Sequence, residues 1–192
     1  MMKKIILASQ SLRRVALLKQ MAIDCMVMPA DIDESVLSGE LPTDYVLRLA
    51  QQKALAIVAQ LNGAHAGLPI LAADTTVALG NVIFGKPVDD ADAFNMLKKL
   101  SNTTHQVHTA ITVAFAGKLE SVLNTTQVQM MPLSDAMIVA YIANNEHADK
   151  AGSYAIQGLA GSWIMRIEGS YTGVMGLPVH ETALLLNKID FK

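Results

Sequence analysis

The sequence predicts an α/β protein: a mixed, strongly twisted central sheet flanked by helices, with two lobes around a cleft in one domain spanning residues 1–192. Three observations predict it. The apolar run Ile5–Ala8 is followed from Ser11 by apolar residues at helical spacing, a strand-to-helix unit. The stretch from Leu71 to Phe84 carries two apolar runs joined by Gly80-Asn81, a pair suited to a two-residue hairpin loop. The long runs Thr104–Phe115 and Leu119–Met131, joined through Ala116-Gly117-Lys118, read as an antiparallel hairpin, which argues against a purely parallel sheet.

Taken in order, Ile5–Ala8 is a buried first strand, and Leu12, Val15, Leu18 and Met21 mark the helix after it. The turn between them, Ser9-Gln10-Ser11, would gather free backbone N–H groups together with Arg13 and Arg14, an arrangement that suits an anion. Cations at a helix N-terminus oppose the macrodipole, so the arginines call for a compensating use. Cys25–Met28 reads as a second strand. Asp31, Asp33 and Glu34 then place three carboxylates in four residues, either a solvated acidic loop or part of a divalent cation site. A long helix is expected from about Asp44 to Leu61, stopped by Asn62-Gly63, with Val46, Leu49, Ala50, Ala54, Ile57, Val58 and Leu61 on its apolar face. Lys53 falls on that same stripe. An ammonium there must either snorkel to water or meet an anion, because burying it unpaired is expensive.

The apolar run that begins at Leu71 stops at Asp74, which places the acid at a strand end. After the second hairpin strand, Gly85-Lys86-Pro87 forms a turn from which Lys86 projects. Asp74 and Lys86, held by one stiff hairpin, suit a phosphate-and-metal site. Asp89 and Asp90 start a helix whose Ala93, Phe94, Leu97 and Leu100 face inward. His105 and His108 lie three apart on a strand, so they face opposite ways and do not share a metal. Ser134 caps a helix from Asp135 to about Asn144, stopped by Asn144-Asn145. Gln157, next to Gly158, could offer both donor and acceptor of its amide to a base edge. Trp163–Ile167 reads as a strand, Glu168–Gly173 as a turn-rich connection, and Pro178 opens a last helix from Val179 to Ile189.

At 52% hydrophobic residues the 192-residue chain can bury one sizeable core. A net charge of -2 and a pI near 6.2 argue against a nucleic-acid polymer as partner, so any phosphate must be met by a local cluster. Cys25 is the only cysteine, which precludes an intrachain disulfide and fits a reducing cytoplasm. Lys3-Lys4 before an apolar run resembles a signal peptide, but Arg13 and Arg14 arrive before an h-region develops. No apolar run approaches the ~20 residues that span a bilayer, so a soluble protein without a membrane partner is expected.

In their order along nearly the whole chain, several segments resemble the Maf-like nucleotide pyrophosphatases, a family linked with septum formation. They are Ala8–Arg14, Asp33-Glu34-Ser35, Tyr45–Ala54, Ala73-Asp74-Thr75, Gly85-Lys86-Pro87, Tyr154–Gly158, Gly169-Ser170-Tyr171 and Gly176-Leu177-Pro178. One departure is Leu12, where the family usually has Pro, which would preset the first helical turn. The resemblance implies a Maf/ITPase-like fold, a homodimer, and metal-dependent hydrolysis of a nucleoside triphosphate between its α- and β-phosphates. Asp74-Thr75 with Ile156-Gln157-Gly158 is similar to the branch acting on dTTP and UTP, with modified pyrimidine nucleotides as further substrates. It also implies that Asp74 is the proton acceptor and that Arg13, Thr75 and Gln157 occupy substrate-selective positions.

On this reading Asp74, Lys53 and Lys86 are the catalytic set, Glu34 and Asp74 hold Mg²⁺ or Mn²⁺, and Ser9, Arg13, Arg14, Thr75 and Gln157 bind substrate. The cations would neutralise the triphosphate and the departing pyrophosphate. Two competitors differ in product. A haloacid-dehalogenase-like phosphatase would use Asp31 as nucleophile and Asp33 as acid in the pattern Asp31-Ile32-Asp33-Glu34-Ser35 and would release orthophosphate. A nucleotide-sensing regulator of division would bind nucleotide without turnover.

Overall fold

Ten consecutive residues, Ile70–Leu79, form the central strand β3, and the other elements are placed by how they flank it. The computed structural model describes residues 3–61 and 67–189. Before β3 come β1 (Lys3–Leu7), α1 (Leu12–Gln20), β2 (Ile23–Val27) and α2 (Pro42–Gln60). After it follow β4 (Val82–Phe84), α3 (Asp90–Leu100), β5 (Thr104–Phe115), β6 (Lys118–Met130), α4 (Asp135–Ile142), β7 (Ile164–Glu168), α5 (Tyr171–Val174) and α6 (Val179–Lys188). The sheet order is β2-β1-β3-β5-β6-β7, with β4 hairpinned onto β3. β1 runs parallel to β2 and β3, and the remaining pairs are antiparallel, so the sheet is mixed and flanked by helices as expected.

One edge of β3 pairs with β5 over residues 70–78. The other edge is shared: β1 takes Ile70 and Leu71, and β4 takes Val77–Leu79. Among the described residues, no strand therefore lies beside residues 72–76 on that edge. The amides of Ile6 and Ala8 donate to the carbonyls of Pro69 and Leu71, so by the two-residue period the main-chain groups of Ala73 and Thr75 face the gap.

The same period sorts the side chains. Even-numbered positions of β3 (Ile70, Ala72) pack with Ile6, Ala54, Ile57 and Ala114. Leu71 and Ala73 pack on the opposite face with Leu17, Leu18, Ile111, Leu177 and Leu185. A third apolar body, built on Val77, Phe84, Leu97, Val107, Val128, Ile138 and Trp163, lies at the far end of the strand. Asp74 thus faces α2 and Thr75 faces α1, across the split.

Several expectations need correction. Asp74 is not at a strand end but fifth of ten residues in β3. An ionised carboxylate normally interrupts a buried strand, and it is tolerated here because α2 brings a cation to it. The turn-rich connection contains α5, whose first turn is capped by Ser170 Oγ accepting from the Gly173 amide. Ser11 stands at the N-cap position of α1 without a side-chain cap; Ser9 Oγ accepts from the Ser11 amide instead. Leu12, the first residue of that helix, is 83% exposed. Trp163 belongs to a 3₁₀ turn, Leu159–Trp163, that precedes β7. The stop signal Asn62-Gly63 lies outside the described residues. Asp89 and Ser134 cap α3 and α4 through their side chains, as their residue types suggest.

Candidate functional site

The split edge of β3 opens into a cleft of about 930 Å³, a size suited to a nucleotide-sized ligand. Its walls come from the β1–α1 turn, the loop after β2, the middle of β3, the Gly85-Lys86 turn, the segment 149–157 and Val174–Gly176. Ser9, Arg13, Arg14, Glu34, Lys53, Asp74, Thr75, Lys86 and Gln157 all line it. Asp31 and Asp33 do not. Both are exposed, and Asp33 accepts a bond from the Ser35 amide, which holds its carboxyl below the usual range.

At the floor, Lys53 Nζ lies 2.6 Å from Asp74 Oδ1 and 2.7 Å from Glu34 Oε1. The ammonium on the apolar stripe of α2 therefore meets anions rather than snorkelling. The two carboxylates respond differently to this shared partner. Burial pushes the Asp74 carboxyl up, against the pull of Lys53 and Arg14, and repulsion from Glu34 adds to the rise. Glu34 is nearer water; burial raises it too, but Lys53, Lys86 and Arg14 together hold it below its ordinary value. One acid is thus made a better proton acceptor while its neighbour stays ionised.

Tyr45 belongs to this group, although the sequence reading gave it no role. Its hydroxyl donates to the Glu34 carbonyl at 3.0 Å, fixing the acidic loop on α2. Burial, with Asp74 and Glu34 nearby, pushes the phenol up to about 12. Tyr45, Leu49 and Lys53 recur every four residues, so the helical stripe could have shown that Tyr45 and Lys53 share a face.

On the other face of β3, Arg14 is held from three sides. Its Nε donates to the Gly176 carbonyl at 2.8 Å, Nη1 to Ser9 Oγ at 3.0 Å and Nη2 to Thr75 Oγ1 at 3.2 Å. The Thr109 hydroxyl donates to the Gly173 carbonyl, so its 2.9 Å contact with Thr75 is donated by Thr75. A directed chain from Arg14 through Thr75 and Thr109 to α5 results, and it fixes the Thr75 side chain. Burial depresses the basicity of Arg14, against the pull of Asp74. Arg13, beside it, also lines the cleft. Lys86 is exposed, on a turn held where the Gly152 amide donates to the Gly85 carbonyl at 3.0 Å.

Among the described residues no group of three or more His, Cys, Asp or Glu side chains converges. The protein offers a divalent cation the two carboxylates of Glu34 and Asp74, which already share one positive charge. That donor set suits Mg²⁺ or Mn²⁺, which take carboxylate oxygens together with substrate phosphates. His105 and His108 are engaged elsewhere, with Tyr154 and Thr125. Among the described residues no helix is long and apolar enough to cross a membrane.

A family model described as Maf-like protein matches residues 4–189. The chain is 52% identical over 185 residues to the dTTP/UTP pyrophosphatase of Methylobacillus flagellatus, covering 96% of this chain and 92% of the relative. It is 50% identical over 192 residues to the dTTP/UTP pyrophosphatase of Chromobacterium violaceum, covering 98% and 96%. To the nucleoside triphosphate pyrophosphatase of Haemophilus ducreyi it is 43% identical over 193 residues, covering 100% and 98%.

Proposed function

Since the chain belongs to the Maf-like protein family, we propose that it hydrolyses dTTP and UTP to the nucleoside monophosphate and pyrophosphate. The observation that carries the reading is Lys53 bridging Asp74 and Glu34 inside a cleft also lined by Arg13 and Lys86. Acid, base and anion-binding groups are there gathered around a space large enough for the substrate.

In the proposed reaction Asp74 orients a water and takes its proton as the water oxygen bonds to the α-phosphorus. The bond from that phosphorus to the oxygen bridging it to the β-phosphate breaks, and pyrophosphate leaves with the electron pair. A raised carboxyl pKa brings Asp74 closer to the range useful for a general base. Glu34 and Asp74 would hold the divalent cation, which supplies charge neutralisation and lowers the pKa of the attacking water. Lys53, released from the carboxylates, would meet the α-phosphate. Lys86 and Arg13 face the part of the tail where charge accumulates on the leaving group. Ser9, Arg14 and Thr75 shape the wall, and Gln157 reads the base.

Incubation with UTP, dTTP and CTP at saturating Mg²⁺ or Mn²⁺, with products identified directly, tests this reading. Monophosphate and pyrophosphate in equal amounts are expected. Orthophosphate alone would instead point to phosphatase chemistry, and tight binding without product to a regulator. Asp74→Asn should lower kcat by about 10³-fold or more while nucleotide still binds, the scale of losing a general base together with a cation ligand. Unchanged turnover in that variant removes Asp74 as the base. A homodimer in the cytoplasm belongs to the same proposal; sedimentation equilibrium tests the first part and cell fractionation the second.

A further inference from the structure

Gln157 is exposed on the cleft wall, on a loop whose Tyr154, Ile156 and Ala160 are buried in the apolar body around Val77 and Trp163. What holds the loop lies behind it. Tyr154 packs edge-on against His105, and its hydroxyl meets His105 Nε2 at 2.7 Å. The Ala155 amide donates to the Tyr141 hydroxyl at 3.3 Å, and the Gly158 amide closes a turn onto the Ala155 carbonyl at 3.1 Å. Two residues after Gln157, the Leu159 amide donates to Glu146 Oε2 at 3.0 Å.

Glu146 does not line the cleft. It is half-buried, in the turn after α4, and its carboxylate lies over Gly158 so closely that a Cβ built there would collide with it. Gly158 has φ -106°, a backbone conformation open to any residue. A side chain at this position would therefore displace the Glu146 carboxylate from the Leu159 amide. A carboxylate accepting a main-chain amide makes a charge-assisted bond, stronger than a neutral one.

We infer that Glu146 is a positioning residue for base selection: it fixes the Ala155–Leu159 turn so that the Gln157 amide meets the uracil or thymine edge at a defined angle. The inference rests on the pyrophosphatase reading. It assigns discrimination between pyrimidines to a contact on the side of the loop away from substrate. UTP and CTP test it, because they differ at the base edge an amide would read and share the sugar and triphosphate.

Glu146→Ala should raise the KM for UTP by about tenfold with kcat within about twofold, the scale of one weakened base contact. The constants for CTP should stay within about twofold, so the UTP over CTP preference collapses by about tenfold. Glu146→Gln, whose amide oxygen still accepts from Leu159, should recover most of that preference. Gly158→Ala should reproduce the Glu146→Ala phenotype, and the double variant should be no worse than either alone, since both break one contact. Hydrogen exchange at the Leu159 amide should quicken in Glu146→Ala. An unchanged UTP over CTP ratio in both Glu146→Ala and Gly158→Ala overturns the inference. So does an equal loss for both nucleotides, which would mark a merely structural role. If the wild-type protein turns over no nucleoside triphosphate, the pyrophosphatase reading is what fails. Leu159 exchange then decides the positioning claim: quickened exchange in Glu146→Ala supports it, and unchanged exchange overturns it.

Discussion

Replacing Lys53 with Met keeps most of the stem and deletes the one charge that two carboxylates share. Lys53 and Asp74 are 8% and 7% exposed, so neither can turn to water without moving backbone. At 2.6 Å and an effective dielectric near 20, their attraction alone is about 6 kcal/mol before desolvation is subtracted. Removing one member of such a buried pair costs about 3–5 kcal/mol, because the other is left charged and unpaired. The Glu34 side chain is 42% exposed, so its contact with Lys53 is screened and adds at most about 1 kcal/mol. Lys53→Met should therefore lose about 3–4 kcal/mol in urea unfolding at pH 7, with an unchanged m-value. In that background Asp74→Asn should return about half or more of the loss, giving a coupling of at least about 2 kcal/mol in the double-mutant cycle. Acidification should also narrow the gap between variant and wild type. A carboxyl whose folded pKa is raised stabilises least once pH has risen through that value, and removing Lys53 raises it further. Millimolar Mg²⁺ should raise the Tm of Lys53→Met more than that of the wild type, through binding to the folded state alone. A Lys53→Met protein within about 0.5 kcal/mol of the wild type, or strictly additive variants, would refute the buried-bridge reasoning.

Other predictions concern the walls of the site. His105 is 1% exposed, and burial brings its pKa down to about 4 from 6.5, so the unfolded chain takes up the proton first. The resulting stability is complete above pH 6.5 and is lost as pH falls towards 4, amounting to about 3 kcal/mol at that point. Urea midpoints measured from pH 7 to 4 should fall less steeply in His105→Gln, whose amide can still bond Tyr154. Arg14→Lys should behave much like Arg14→Met, each losing about 2–3 kcal/mol in thermal unfolding, because an ammonium cannot span the fork from Ser9 to Thr75 and Gly176. Gly152 has φ +68°, and a Cβ there would meet Val77 Cβ at 2.9 Å. Gly152→Ala should thus cost about 2 kcal/mol in stability and weaken pyrophosphate binding, measured by calorimetry, by shifting the Gly85–Lys86 turn that Gly152 holds.

The strands, helices and hairpins were legible because each is written in local periods and turn residues. Lys53 could be singled out from the apolar stripe of α2, since an ammonium in such a place needs an anion. Which anion it meets was not legible. The partners lie 19 and 21 residues away in the chain, and only the packing of α2 on β3 joins them. The same long-range pairing misled the reading of Asp74: a local rule ends a buried strand at a carboxylate, and a tertiary cation overrides the rule. The Arg14 network was hidden for a related reason. Its acceptors include the Gly176 carbonyl, 162 residues away, and main-chain oxygens leave no mark in a sequence. Glu146 was hidden because its partner is an amide.

The dipeptide Asp74-Thr75 shows why the site needs a broken sheet edge. Adjacent residues of a strand point to opposite faces, so Asp74 reaches Lys53 on one side and Thr75 reaches Arg14 on the other. In a sheet with continuous edges, two such groups would be walled off from each other by the neighbouring strand. Here β1 leaves β3 after Leu71 and β4 joins it only at Val77, so one cleft can be lined from both faces through the gap between them. Both boundaries follow from local chemistry. β1 gives way to the Ser9–Ser11 turn into α1, and β4, which the two-residue Gly80-Asn81 loop sets in register with β3, is ended after three residues by the Gly85-Lys86-Pro87 turn. The residues that end the flanking strands, Ser9 with Arg13 and Arg14 on one side and Lys86 on the other, are for that reason the ones left facing the opening. The architecture thus places cations at the mouth and the acid at the floor, which is the order in which a polyanionic substrate and its attacking water would meet them.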